Sequence, residues 1–387
     1  MKIWFLTRSY YPYLKGGGPL IKRGMAEALQ TYGWDIHVVV PNYGSLETQR
    51  DENITRIGFS AKHIQKWASL LERMGIYEDY LDKWVDHALS ELANQVQADD
   101  ILLATSGGEL GMIKLGALLK EKLGCKLVIN FHDPLNYGYM NGLRRDKKFH
   151  IGREKLHKKY MDYGDLIITS SQYYADVLRQ KFPDLASKIV NNYFGYIHQL
   201  DIGQFPRKHT QTLKIAYIGT MSSTQQPELL YQAWKQLQDE EIEIYFIGDF
   251  KHYQPLQHIR EKGVHFIEFM PHDQFLLFMR EHIDVGFVSL VNDYFGACVP
   301  SKIYEYINLG IPILGALPLG DGREMINTNG YGVACDYRDI TCLTQHILQL
   351  KEPKYRMQIE EKILHDRESW AMQQRIQEVD LLLRELI

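Results

Sequence analysis

An α/β chain of two doubly wound parallel sheets is the fold class that this sequence predicts. Short apolar runs alternate with helical patterns along most of its length. The alternation breaks over Asp201–Thr210, which is polar, carries Gly203 and Pro206 and has no periodicity, and it then restarts. With 387 residues the chain is also too long for one compact core.

The elements follow in order. Lys2–Thr7 is a short apolar run, hence a strand. Pro19 suits the first turn of a helix, where its missing N–H is not needed. Ile21, Met25, Ala28 and Leu29 then recur as one apolar stripe. Gly33 stops that helix, and Asp35–Val40 is the next strand, completing a βαβ unit. Ile101–Ala104, Lys126–Phe131 and Leu166–Thr169 continue the series, with helices over Glu109–Leu123 and Tyr173–Lys181. A long, mostly helical insertion lies between Phe59 and Ile101. The second series offers strands at Lys214–Ile218, Glu243–Ile247, Val264–Ile267, Asp284–Leu290 and Ile311–Leu314, and the chain reads as helical from Thr341 to its end.

Composition narrows the function classes. Hydrophobic residues make up 45% and charged residues 24%, values ordinary for a globular protein. A net charge of −4 argues against a general nucleic-acid binder. Cys125, Cys298, Cys335 and Cys342 form no CxxC pair, so reduced thiols in a cytoplasm are expected rather than disulfides or zinc. The first apolar run is too short for a signal-peptide core, and no run approaches the ~20 residues that span a bilayer. No D-x-D pair or metal-ligand cluster occurs, so no metal is expected.

In doubly wound sheets ligands bind in loops after the strands, and with two such domains the natural site is a cleft between them. Four loops stand there. Gly16, Gly17 and Gly18 lie between the first strand and a helix start, where backbone amides can approach an anion closely; the alternative is a flexible tight turn. His132 and Asp133 end a strand before Pro134, placed for a sugar hydroxyl or, with the imidazole protonated, a phosphate; the alternative is a turn-capping histidine. Phe295, Gly296 and Ala297 lead into Pro300, Ser301, Lys302 and Glu305. A cation in the first turn of a helix opposes the dipole, which an anion such as a diphosphate would justify. A carboxylate three residues on could accept from ribose hydroxyls, although an ordinary i,i+3 ion pair explains the spacing equally well. Gly219 and Thr220 end a strand in a small polar loop.

These residues carry a resemblance that covers nearly the whole chain. Gly16–Gly18, Phe131–Pro134, Asp165–Ser171, Tyr217–Gly219, Phe246–Asp249, Val299–Tyr306 through Gly310–Leu314, and Glu368–Trp370 resemble the retaining GT-B glycosyltransferases of the family 4 type, especially bacterial enzymes of surface-polysaccharide assembly. The resemblance implies an acceptor domain over 1–205, joined by a crossing helix over 366–387, and a nucleotide-sugar domain over 206–365. It implies Glu305 on the ribose, Gly16–Gly18 near donor phosphates and acceptor, and His132 and Asp133 at the acceptor or donor sugar. The donor would be a UDP- or GDP-linked sugar, with no other cofactor. Ala297 stands where the family often has a second glutamate, and no basic residue follows Gly219 over Thr220–Gln226. Lys302 therefore becomes the first candidate to neutralise the diphosphate, with Lys251 in reserve.

A metal-free transfer needs fixed cations and helix amides at the leaving diphosphate. With no carboxylate placed as a nucleophile, the acceptor is expected to attack on the same face. The basic run at 144–159 and the segment Ala61–Leu89, with Trp67, Leu70, Leu71, Met74 and Trp84, fit a peripheral contact with an anionic membrane or a lipid-linked acceptor, or else a solvated helix face and a packed stripe. Two other readings share the architecture. A sugar-nucleotide epimerase would consume donor without acceptor, and a two-domain binding protein would do no chemistry.

Overall fold

A computed structural model describes residues 1–14, 16–59, 67, 70–72, 74–134, 147–204, 211–237 and 241–387. The predicted boundary at 205/206, most of the polar break, Arg144–Asp146 and much of the segment before Trp67 lie outside the described residues. The chain divides into two compact units. The N-terminal unit is Met1–Phe194 with Arg375–Ile387, and the C-terminal unit is Gly195–Gln374.

The N-terminal unit holds β1 (Lys2–Leu6), β2 (Asp35–Tyr43), β3 (Gln49–Asp51), β4 (Ile54–Phe59), β5 (Ile101–Gly107), β6 (Lys126–Asp133), β7 (Leu166–Thr169) and β8 (Ile189–Asn191). Their order is β3-β4-β2-β1-β5-β6-β7-β8, parallel throughout except for β3 against β4. Central strands read as unbroken apolar runs because helices cover both faces. Trp4 also has a polar handle, its Nε1 donating 2.8 Å to Asp100 Oδ2. The final helix, Met372–Arg384, reaches this unit: Trp34 Nε1 donates 2.7 Å to Asp380 Oδ1, and Asn192 Nδ2 donates 2.9 Å to the Arg375 carbonyl.

The C-terminal unit holds β9 (Leu213–Thr220), β10 (Ile242–Asp249), β11 (Val264–Ile267), β12 (Val285–Ser289), β13 (Ile313–Ala316) and β14 (Gly332–Cys335). Their order is β11-β10-β9-β12-β13-β14, all parallel. Ordered by sequence this is 3-2-1-4-5-6, the doubly wound arrangement whose order reverses between β9 and β12. Both units therefore carry the predicted fold class.

Several predicted bounds move. β2 runs on through Pro41 to Tyr43, and β5 extends to Gly107, because each pairs with a neighbour beyond the apolar run. β3, β4, β8 and β14 escape the sequence pattern; β3 and β8 have three residues each, and Gln49–Asp51 is exposed and polar. The predicted C-terminal helix is three helices, Ile340–Lys351, Pro353–Asp366 and Met372–Arg384, with a 3₁₀ turn at Arg367–Trp370. Pro353 starts a new helix because its ring cannot extend the preceding one.

Candidate functional site

In the C-terminal unit the β9–β12 ladder ends at Tyr217↔Phe287, while β9 continues to Thr220 and β12 to Ser289. The strands part there, and the helix Ser301–Leu309 begins beside the gap. Tyr306 pins this helix across the two strands, its hydroxyl bonding to the carbonyls of Ala216 (3.2 Å) and Phe287 (2.9 Å). At the other end Gly310 closes the helix at φ 63°, and Arg280 and Arg367 bond to the Leu309 and Asn308 carbonyls. The first turn of the helix has no side-chain cap, although the Ile303 amide donates 3.0 Å to the Pro300 carbonyl.

Lys302 and Glu305 project from this helix, yet the spacing does not produce an ion pair. Lys302 Nζ instead donates 3.0 Å to the Tyr217 hydroxyl and sits 4.5 Å from the centre of that ring. No carboxylate pairs with it among the described residues, and burial pushes its amine down to about 7. Burial pushes the Glu305 carboxyl up to about 7, and its Oε2 has no hydrogen-bond partner among the described residues. An exposed ion pair is worth about 0–1 kcal/mol, whereas an unpaired, desolvated charge is costly. Stabilisation of the helix therefore does not explain these two groups. Gly219 keeps the space open: it has φ +91°, and a Cβ there would lie 3.4 Å from Lys302 Cε.

The remaining predicted donor residues take varied positions. Thr220 is exposed at the end of β9, and Ser301 is half-buried in the first turn of the helix. Phe295 is 1% exposed, so only its backbone is available, and Ala297 is buried as well. Gly296 serves packing: a Cβ would come 2.0 Å from the Leu319 carbonyl oxygen, where the loop after β13 crosses the 3₁₀ turn Asp293–Ala297. Lys251 is exposed and pairs with Glu268 at 2.5 Å.

The N-terminal unit has a crevice at the same position of its own sheet. β1 pairs with β5 as far as Leu6↔Ala104, after which β5 runs on to Gly107. Arg8 Nε pairs with Glu109 Oε2 at 2.9 Å, and Lys22 Nζ donates 3.0 Å to Ser9 Oγ. A Cβ on Gly107 would meet Glu109, Arg8 and Asp133 within 3.5 Å. Burial lowers Lys22 to about 8, and burial raises Asp133 to about 6, the two cations opposing that rise. His132 stacks on Phe194 at 4.5 Å; burial, helped by Lys22 and Arg8, holds it well below the usual histidine range. A neutral imidazole suits a hydroxyl rather than a phosphate. Its Nε2, with Glu109 Oε1 and Asn130 Oδ1, has no partner among the described residues. Gly16 has φ 119° and precedes the helix Gly17–Thr31, with Gly17 and Gly18 exposed in its first turn.

Sequence reasoning missed Arg8, Lys22, Glu109 and Tyr217. Lys22 left a signal, because it shares a helical face with Met25 and Leu29 and is 3% exposed, whereas Ile21, assigned to the buried stripe, is only half-buried. The basic run partly turns inward. Arg153 is buried against Glu72 and Asp79, Lys158 pairs with Asp162 and Asp184, and Lys159 pairs with Glu78. Among the described residues no helix is long and apolar enough to cross a membrane, and no group of metal-ligating side chains could hold an ion.

The two sheets, in this strand order and with this C-terminal crevice, define an α/β protein of the GT-B class. Residues 212–352 match the family model "Glycosyl transferases group 1". Among solved structures, Anabaena Alr3699/HepE in complex with UDP and glucose is similar at a TM-score of 0.67 and 14% identity, covering 100% of both chains. The α,α-trehalose 6-phosphate synthase of Burkholderia multivorans is similar at a TM-score of 0.68 and 11% identity, covering 99% of this chain and 96% of that one. The lipopolysaccharide outer core galactosyltransferase WaaB, in its apo form, is similar at 0.65 and 13%, covering 99% and 100%. No curated protein sequence matches the chain.

Proposed function

We propose that this protein is a glycosyltransferase that takes a sugar from a nucleoside-diphosphate sugar and passes it, with retention and without a metal, to a glycan or lipid-linked acceptor in surface-polysaccharide synthesis. The observation that carries the reading is Lys302, a half-buried lysine without a countercharge among the described residues, beside the open turn at Gly219. The family match over 212–352 and the UDP-bound fold relative support it. In this reading Lys302 and the amides around Ser301 stabilise the leaving diphosphate, and Glu305 accepts from the ribose. Gly219 and Thr220 admit the phosphates, and Gly16–Gly18, His132 and Asp133 serve the acceptor or donor sugar. His132, being neutral, hydrogen-bonds a hydroxyl.

A cytoplasmic protein in peripheral contact with anionic membrane belongs to the same reading. The exposed Trp67, Leu70, Met74 and Ile76 favour it, whereas Trp84 and Arg153 are buried, and Lys158 and Lys159 are paired with carboxylates at the surface.

Calorimetry against UDP, GDP, ADP and CMP sugars, followed by a transfer assay on the one that binds, tests the proposal. Binding of one nucleotide sugar and product formation only with acceptor present is the expected result. Donor turnover without acceptor would make the protein an epimerase, and binding without any turnover would make it a carrier.

A further inference from the structure

Tyr217 lies beneath Lys302 and is fully buried, so it reaches no ligand itself. Its hydroxyl is 2.6 Å from the Thr220 carbonyl oxygen and also bonds to the Gln225 side-chain oxygen. Both of those atoms are acceptors and the phenol has a single proton, so that proton is committed to one of them. The lone pairs of the phenol are what remain for Lys302, whose Nζ approaches at 3.0 Å. A phenol fixed in this sense favours an ammonium over an amine, and the ring face at 4.5 Å favours it too.

We propose that Tyr217 is a positioning residue of the donor site: its hydroxyl, held as an acceptor by Thr220 and Gln225, aims the Lys302 ammonium over Gly219 and keeps it charged. This rests on the reading of Lys302 as the cation of the donor site. The titratable side chains on these elements are Lys214 and Tyr217 on β9, Tyr304, Glu305 and Tyr306 on the helix of Lys302 itself, and Asp293 and Tyr294 in the turn before it, and among the described residues only Tyr217 bonds to Lys302. Among the described residues neither β12 nor the turn Asp293–Ala297 brings a charged group into pairing distance, Asp293 being engaged by Arg338. Burial leaves the Lys302 amine near 7, so the acceptor beneath it decides how much cation is present at neutral pH.

Tyr217→Phe retains the ring and removes the hydroxyl. In protein labelled with ¹³C at the lysine ε-carbons, with Lys302 assigned by its loss in Lys302→Met, the titration midpoint of Lys302 should fall by about one pH unit in Tyr217→Phe. With the donor, kcat/KM at a pH above that midpoint should drop about tenfold, and the alkaline limb of its pH profile should move down by the same interval. An unmoved midpoint and an unmoved alkaline limb, with only a lower melting temperature, would overturn the proposal and leave Tyr217 as packing. The NMR titration needs no turnover. A shifted midpoint in a protein that transfers no sugar would retire the glycosyltransferase reading while keeping the hold of Tyr217 on Lys302.

Discussion

At the point where strand order reverses in the N-terminal sheet, Arg8 and Lys22 stand beside Glu109 and Asp133. At the corresponding point of the C-terminal sheet, Lys302 and Glu305 stand without a countercharge. The backbone arrangement is alike, and the electrostatics are opposite. In the first crevice charge is balanced internally, and what remains unsatisfied is a set of uncharged or compensated polar atoms, the acceptor oxygens of Glu109 and Asn130 and the Nε2 of His132, which suits a neutral, hydroxyl-bearing ligand. In the second the lysine lacks an anion, which suits a diphosphate. Fold position therefore marks two candidate sites, and only the pairing of the side chains separates what each is suited to bind.

The sharpest way to break that comparison is to remove the unbalanced cation. Lys302→Ala should lower kcat by roughly 10²–10³, the cost typical of losing one group that stabilises developing negative charge. Far-UV circular dichroism should be unchanged, since no partner residue depends on the ammonium for its own charge balance. Turnover within a few-fold of wild type would show that the diphosphate is neutralised elsewhere, with Lys251 next to be tested.

The balanced crevice should respond in stability rather than in chemistry. Glu109→Gln keeps an oxygen for the Gly107 amide, which Glu109 Oε2 now accepts at 2.9 Å, but it leaves Arg8 without its anion. Breaking a buried pair costs about 3–5 kcal/mol, and Arg8 is partly exposed, so water softens the loss to about 2 kcal/mol. Urea unfolding should record that decrease. A change under about 0.5 kcal/mol would mean that solvent already screens Arg8 and that the pair contributes little.

How much of this could be read from the sequence differs by element. The strands β1, β5, β9 and β12 were legible because buried parallel strands are continuous apolar runs with polar stops. The helix at 301–309 was legible because Pro300 and Gly310 bracket it. The ion-pair state of Lys302 was not, because an i,i+3 spacing says which groups can meet, and the outcome turns on Tyr217, which lies 85 residues away along the chain. Arg153 is a similar case: its partners Glu72 and Asp79 come from a distant segment, so a basic run that reads as surface is partly interior. Lys22 was hidden by its own type, since a lysine is assigned to the solvent face unless the helical phase is followed residue by residue.

The smallest effects should come from the pH dependence of stability, and they test whether the two unpaired groups act separately. Glu305 is held near 7 by burial, above its ordinary 4.5, so the folded protein keeps a proton that the unfolded chain releases. Wild type should therefore lose stability relative to Glu305→Gln as pH rises from about 4.5 to about 7, with no further change above. Lys302 is shifted the other way, from 10.5 to about 7, so here the unfolded chain holds the extra proton. Lys302→Met should be the more stable protein at low pH, with an advantage that shrinks between about 7 and 10.5. The two slopes fall in adjoining windows, and a double variant should show both, additively to within about 0.5 kcal/mol, because no pairing links the groups. Coupling larger than that would mean that Lys302 and Glu305 do share charge in solution. A saturating nucleoside diphosphate should then reverse the order at neutral pH, because it stabilises the protein that has the lysine more than the one that lacks it.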